Sequence, residues 1–126
     1  MLRTGIQAVL FDLDGTLVNS HGALWDVYAA FLRRHERDPT QQEFRDLDGP
    51  SIPQVVKHLA VEHDLGDDID ALLAEYDVLL NETYSRVSAM PDADRVLREF
   101  SERFVLGLVT SASRHLVEPL LLERGW

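Results

Sequence analysis

A chain of 126 residues, 45% of them hydrophobic, is long enough to bury one core and short for several. Its 22 acidic residues against 12 basic ones give a formal charge of −10, which argues against nucleic acid and anionic lipid as partners and leaves small molecules or other proteins. With no cysteine and five scattered histidines, neither a disulfide framework nor a zinc site is written into it. No apolar run approaches a membrane span and no signal peptide opens the chain, so a soluble, cytoplasmic protein is expected.

Gln7 to Leu13 is apolar enough for a strand covered on both faces, as in a parallel sheet, and Gly15 and Thr16 end it. After Ser20, a candidate N-cap, the residues Leu24, Val27, Tyr28, Phe31 and Leu32 recur at helical spacing, with Pro39 beyond that helix. Thr40 is placed to cap a short helix over 41–47, and "DGPSIP", Asp48 to Pro53, reads as a loop because it is dense in turn formers. Ile52, Val55, Val56, Leu59 and Ala60 mark one side of the next helix, which "DLGDD", Asp64 to Asp68, interrupts. The strongest period follows, from Ile69 and Leu72 through Tyr76, Leu80 and Tyr84 to Val87, and predicts one long helix from Asp68 to Ala89. The acidic cluster Asp67, Asp68 and Asp70 suits the positive end of that helix. Pro91 stops the period, and Ala93, Val96, Leu97 and Phe100 mark another helix. Phe104 to Val109 reads as a second buried strand, and Ser113 is placed to cap a last helix in which Leu116, Val117, Leu120 and Leu121 alternate with Glu118, Glu123 and Arg124. Trp25, Tyr28, Tyr76 and Tyr84 fall on apolar faces and are expected in the core, while the histidines show no partner pattern and are expected at solvated or interfacial positions.

Two parallel-type strands joined through helices make the fold class α/β. A crossover needs one helix, so the excess between Val18 and Ala89 is read as an all-helical insertion beside the sheet. Ligands of open α/β sheets bind at the carboxyl ends of the strands, where "DLDGT" and "TSAS" both fall.

Asp12 and Asp14 are two apart, and Gly15 lets the backbone curl so that the pair converges on one point. Two close carboxylates repel; a divalent cation removes the repulsion, and carboxylate and carbonyl oxygens are the hard ligands that Mg²⁺ prefers. One Asp is then free to act as a nucleophile while the other manages protons.

"FDLDGTLVNS", Phe11 to Ser20, resembles the first motif, DxDGT, of the haloacid dehalogenase-like (HAD) superfamily. The resemblance implies a Rossmann-like parallel-sheet core from residues 1–17 and 90–126, with residues 18–89 as a helical cap of the C1 type. It implies further that Asp12 attacks a phosphoryl group, that the Asp12 side chain and the Asp14 backbone carbonyl hold Mg²⁺, that Asp14 serves as general acid and base, and that Gly15 and Thr16 bind phosphate. "VTSAS", Val109 to Ser113, is similar to the second motif, in which a hydroxyl meets the phosphoryl oxygens at a helix start; Thr110 is the first choice and Ser111 remains open. "DGPSIPQVVK", Asp48 to Lys57, resembles the specificity loop of the cap, with Gly49 and Lys57 as candidate substrate contacts; for Lys57, the only lysine, a solvated helix position is the competing reading. "MPDADRVLREF", Met90 to Phe100, resembles the hinge that returns to the core, where many relatives have Pro-Gly.

The resemblance points to a Mg²⁺-dependent phosphatase of the phosphoglycolate phosphatase-like type, acting on a small phosphorylated metabolite through an aspartyl-phosphate. Mutases of the β-phosphoglucomutase-like type carry a histidine where Leu24 stands here, which favours hydrolysis over phosphosugar mutation. The lysine of the third motif and the acidic fourth motif have no counterpart before Trp126, so the chain is expected to correspond to the N-terminal half of such an enzyme. An inactive remnant or an interaction module is therefore the alternative, and two strands alone expose edges through which self-association is expected.

Overall fold

The structure is a computed structural model and describes residues 5–126. In chain order the elements are β1 (Ala8–Phe11), β2 (Val18–Asn19), α1 (His21–Arg34), α2 (Gln41–Asp46), α3 (Ile52–Glu62), α4 (Ile69–Tyr84), β3 (Ser88–Ala89), α5 (Ala93–Ser101), β4 (Val105–Leu108) and α6 (Arg114–Arg124). Strands β1 and β4 pair in parallel, with Ala8 opposite Val105 and Phe11 opposite Leu108, so both strands end at the same edge. That register sets the residues after Phe11 beside the residues after Leu108, and it fixes where a site can form. The α/β class with a small parallel sheet is as the sequence implies.

The core lies mainly among the helices. α4 packs on both α1 and α3, and Tyr28, Phe31, Leu32, Val56, Leu59 and Leu80 are buried where they meet. The helix starts follow local chemistry. Thr40 Oγ1 accepts from the Glu43 N–H at 3.2 Å, Asp68 Oδ1 accepts from the Ala71 N–H at 3.1 Å, and the Gln54 side chain reaches back to the Ser51 N–H at 2.9 Å. Pro53 sits in the first turn of α3, where its missing N–H costs nothing, and does not extend the preceding loop as expected.

Three other expectations change. The long helix ends at Tyr84, five residues before Ala89, and Ser88–Ala89 instead pair antiparallel with Val18–Asn19. Val87, which prolonged the helical period, is buried beyond the end of the helix, so its apolar character reports burial and not helix. The strands β1 and β4 are shorter than the apolar runs that announced them and are covered on one face only. Val9, Phe11, Leu106 and Leu108 share the half-buried face, where the Phe11 ring meets Phe100 of α5 at 6.2 Å, whereas Leu10 and Val105 point the other way and are 69% and 72% exposed. Asp92, after Pro91, takes a left-handed φ of 65°. No helix among the described residues is long and apolar enough to cross a membrane.

Candidate active site

Directly after β1 the chain folds over itself. The N–H groups of Thr16, Leu17 and Val18 converge on the Leu13 carbonyl at 3.1, 2.9 and 3.1 Å, and the Gly15 N–H bonds the Val18 carbonyl at 2.9 Å. Gly15 allows this curl at a φ of 76°, a conformation that side chains resist. Leu13 is wholly buried beneath the turn, which leaves Asp12 and Asp14 on its open side.

The two carboxylates have different surroundings. Asp12 is exposed and carries no hydrogen bond among the described residues. Asp14 is half-buried, and its Oδ1 accepts from Ser20 Oγ at 2.6 Å and from the hydroxyl of Tyr84. Ser20 stands at the N-cap position of α1, yet its side chain makes no cap bond; it is spent on Asp14. Tyr84 comes from the last turn of α4 and is 4% exposed. Burial, reinforced by the hydrogen bond and charge of Asp14 and by the charge of Asp12, pushes its hydroxyl well above the ordinary tyrosine range, so it stays a donor. One carboxylate is therefore free to react, while the other is fixed through one oxygen with the second oxygen open.

Both carboxylates face a cavity of about 370 Å³. Thr110 and Ser111, after β4, line it from the neighbouring strand end, and Gly49 lines it from the loop after α2. The Thr110 hydroxyl accepts from the Ala112 N–H at 3.1 Å and keeps its own proton to donate; Ser111 is exposed. Gly15 and Thr16 do not line the cavity, and their N–H groups are used within the turn. Lys57 is exposed on α3 and stands outside the cavity.

The sequence did not announce how the far wall is braced. The Tyr28 hydroxyl donates to Glu43 Oε1 at 2.6 Å and accepts from the Thr40 N–H at 3.0 Å, while His63 Nε2 lies 2.9 Å from both Glu43 oxygens. Burial and the neighbouring Glu43 push the Tyr28 hydroxyl up to about 12. Burial opposes charge on Glu43, but hydrogen bonds from Tyr28 and His63 and the charges of His63 and His58 outweigh it and hold the carboxyl below its ordinary range. This network ties α1, α2 and α3 together behind Phe44, whose ring meets Trp25 edge-on at 5.4 Å and Tyr28 at a tilt at 5.5 Å. His35 and His115 likewise meet carboxylates, Glu75 and Asp77, at 2.9 Å each, partners that lay too far along the chain to be read as a pattern.

No group of three or more His, Cys, Asp or Glu side chains gathers as a metal cage among the described residues. The donor set suits Mg²⁺ in its other mode, with one or two protein oxygens, substrate phosphate and water. Asp12 offers an unengaged carboxylate, and no hydrogen bond among the described residues ends on the Asp14 carbonyl.

The family model of the haloacid dehalogenase-like hydrolases matches residues 9–126. The chain is 24% identical over 122 residues to the bifunctional riboflavin kinase/FMN phosphatase of Arabidopsis thaliana, a match that covers 95% of this chain and 32% of that protein. It is 32% identical over 127 residues to the validoxylamine A 7'-phosphate phosphatase of Streptomyces hygroscopicus subsp. limoneus, over 94% of this chain and 56% of that one. A haloacid dehalogenase-like hydrolase of Streptococcus pneumoniae superposes with a TM-score of 0.76 at 20% identity, over 95% of this chain and 56% of its own. The chain thus spans between a third and somewhat over half the length of these proteins. A family match that starts at the first motif and runs through the second, on a fold that brings both to one sheet edge, shows that the chain belongs to the haloacid dehalogenase-like hydrolase family.

Proposed function

We propose that this sequence serves a Mg²⁺-dependent phosphatase that hydrolyses a small phosphomonoester in the cytoplasm. One observation carries the reading: a free carboxylate, Asp12, and a fixed one, Asp14, share a cavity with the hydroxyls of Thr110 and Ser111. Mg²⁺, held by the Asp12 side chain and the Asp14 carbonyl, would supply the positive charge that lets a phosphate dianion sit beside two carboxylates. An Asp12 oxygen attacks phosphorus, the ester P–O bond breaks, and Asp14 gives its proton to the departing alkoxide. Asp14 then takes a proton from a water that attacks phosphorus, the bond between Asp12 and phosphorus breaks, and inorganic phosphate leaves. Thr110 and Ser111 orient the phosphoryl oxygens.

Residues 18–89 act in this reading as a cap over a core of residues 1–17 and 90–126. The pairing of Val18 with Ala89, which joins the two ends of that segment, supports the boundary. Hydrolysis of p-nitrophenyl phosphate in Mg²⁺ tests the proposal. The full chain is expected to turn it over, and Asp12→Asn to lower the rate by about 10³-fold or more. Turnover that survives Asp12→Asn, or none in the parent chain, rejects it.

A second reading, an interaction module that associates through its sheet, has one observation in its favour. Ile6, Leu10, Val105 and Val109 expose one contiguous apolar sheet face, more than scattered surface residues would. Sedimentation velocity separates the two readings, since self-association without phosphatase activity supports the second.

A further inference from the structure

Asp14 stands on the turn after β1, yet neither group that holds it belongs to that turn. Ser20 donates to Asp14 Oδ1 from the N-cap position of α1, and the Tyr84 hydroxyl donates to the same oxygen from the last turn of α4. Both donors are buried. They flank the two places where the chain passes between the sheet and the helices, marked by the pairing of Val18–Asn19 with Ser88–Ala89. Because α1 and α4 pack on each other, one pair of helices sets both hydroxyls. Neither hydroxyl serves its own helix. Ser20 makes no cap bond with its side chain, and Tyr84 fills its buried position with the ring.

We propose, on the basis of the phosphatase reading, that Ser20 and Tyr84 are positioning residues: the helices, and not the strand that carries it, orient Asp14, and they assign its proton to Oδ2. The assignment follows from the acceptor positions. Each oxygen of an ionised carboxyl offers about two, and the two hydroxyls occupy both on Oδ1. Oδ2 therefore carries the proton that goes to the departing alkoxide as the ester P–O bond breaks. The same oxygen then takes a proton from the water that attacks phosphorus. An unrestrained aspartate turns about both of its side-chain torsions and presents either oxygen. Two charge-assisted bonds to one oxygen remove that freedom before a substrate arrives. Asp12, exposed and without such bonds among the described residues, has no comparable restraint.

The rotamer of Asp14 reports this hold without asking for turnover. In the full chain labelled with ¹³C and ¹⁵N, the couplings from Asp14 Cγ to its own backbone nitrogen and carbonyl carbon are expected to show a single χ1 rotamer. Ser20→Ala and Tyr84→Phe are each expected to move those couplings toward the average over rotamers. Tyr28→Phe removes a buried hydroxyl that bonds Glu43 and Thr40 instead, and is expected to leave them unchanged. Should Tyr84→Phe fail to fold, Ser20→Ala decides, since no cap bond is lost with it. Averaged couplings in the parent chain, or couplings that neither variant moves, overturn the proposal. Leaving groups supply the second readout, because the alkoxide of benzyl phosphate needs a proton and the phenolate of p-nitrophenyl phosphate does not. Tyr84→Phe is expected to lower kcat/KM about 10- to 100-fold for the first and by no more than a few-fold for the second, a split that a merely structural role would not produce. Equal losses on the two substrates overturn the proposal as well. A parent chain that shows one Asp14 rotamer, released by either variant, yet hydrolyses neither ester rejects the phosphatase reading and leaves the hold on Asp14 standing.

Discussion

The strands β1 and β4 are more uniformly apolar than helices α1, α3 and α4, yet they are the less buried. Each helical stripe meets another helix in the same stretch of chain, so Phe31, Leu32, Val56 and Leu59 are fully enclosed. A sheet face needs a separate layer laid across it, and only the face toward α5 has one. The difference teaches where this chain draws its stability: a helical unit closes its own core, and the sheet contributes the frame of the site more than the cohesion of the fold. The sharpest test pairs one residue from each region. Phe31→Ala, in the helical core, is expected to cost about 3–5 kcal/mol in urea unfolding. Leu10→Ala, on the bare face, is expected to change stability by no more than about 0.5 kcal/mol. Comparable losses would show that the sheet face is covered in solution and would end the contrast.

The two regions meet at Asp14, which is held by Ser20 from the start of α1 and by Tyr84 from the end of α4. Tyr84→Phe keeps the ring in its packed position and removes the donor. Because the acceptor is a half-buried carboxylate, the loss is expected to be about 1.5–3 kcal/mol. A double-mutant cycle with Asp14→Ala isolates the pair, and most of that loss should appear as coupling. Coupling near zero would mean that the helical unit and the turn after β1 are joined by packing alone.

Much of this was legible in advance, for reasons that also explain the rest. Asp12, Asp14 and Thr110 could be placed together because parallel strands end at one edge, a rule that needs only the order of the elements. The short helix after Thr40 and the start of α4 at Asp68 were local events, set by a side chain and an N–H three residues on. The end of α4 was not legible, because Val87 continues the apolar period outside the helix and no glycine or proline precedes Pro91 to mark the break. Strands of two residues, β2 and β3, are too short for any period to reveal. A continuous apolar run such as β1 looks the same whether its second face is covered or bare, so the exposure of Leu10 carried no signal. Tyr84 and Asp14 are 70 residues apart, and the only hint of their bond was that a buried tyrosine hydroxyl must find a partner.

A smaller loss than that of Tyr84→Phe is expected where the helical unit is braced from within. Glu43 joins Tyr28 and His63 and faces His58 at 3.9 Å, and its carboxyl is held below its ordinary range in the folded chain. A carboxyl depressed on folding adds stability above its unfolded value and loses it as pH falls through the folded value, because the unfolded chain takes up the proton first. Glu43→Gln keeps the shape and an acceptor for Tyr28 but has nothing to titrate. At neutral pH the variant is expected to be less stable by on the order of 1 kcal/mol. Urea midpoints measured from pH 7 down to pH 3 should show that gap closing, since the protonated parent also lacks the charge that His63 and His58 meet. A constant gap across that range would assign the cost of the substitution to packing, and the rigidity of the cavity wall would then owe nothing to this ion pair.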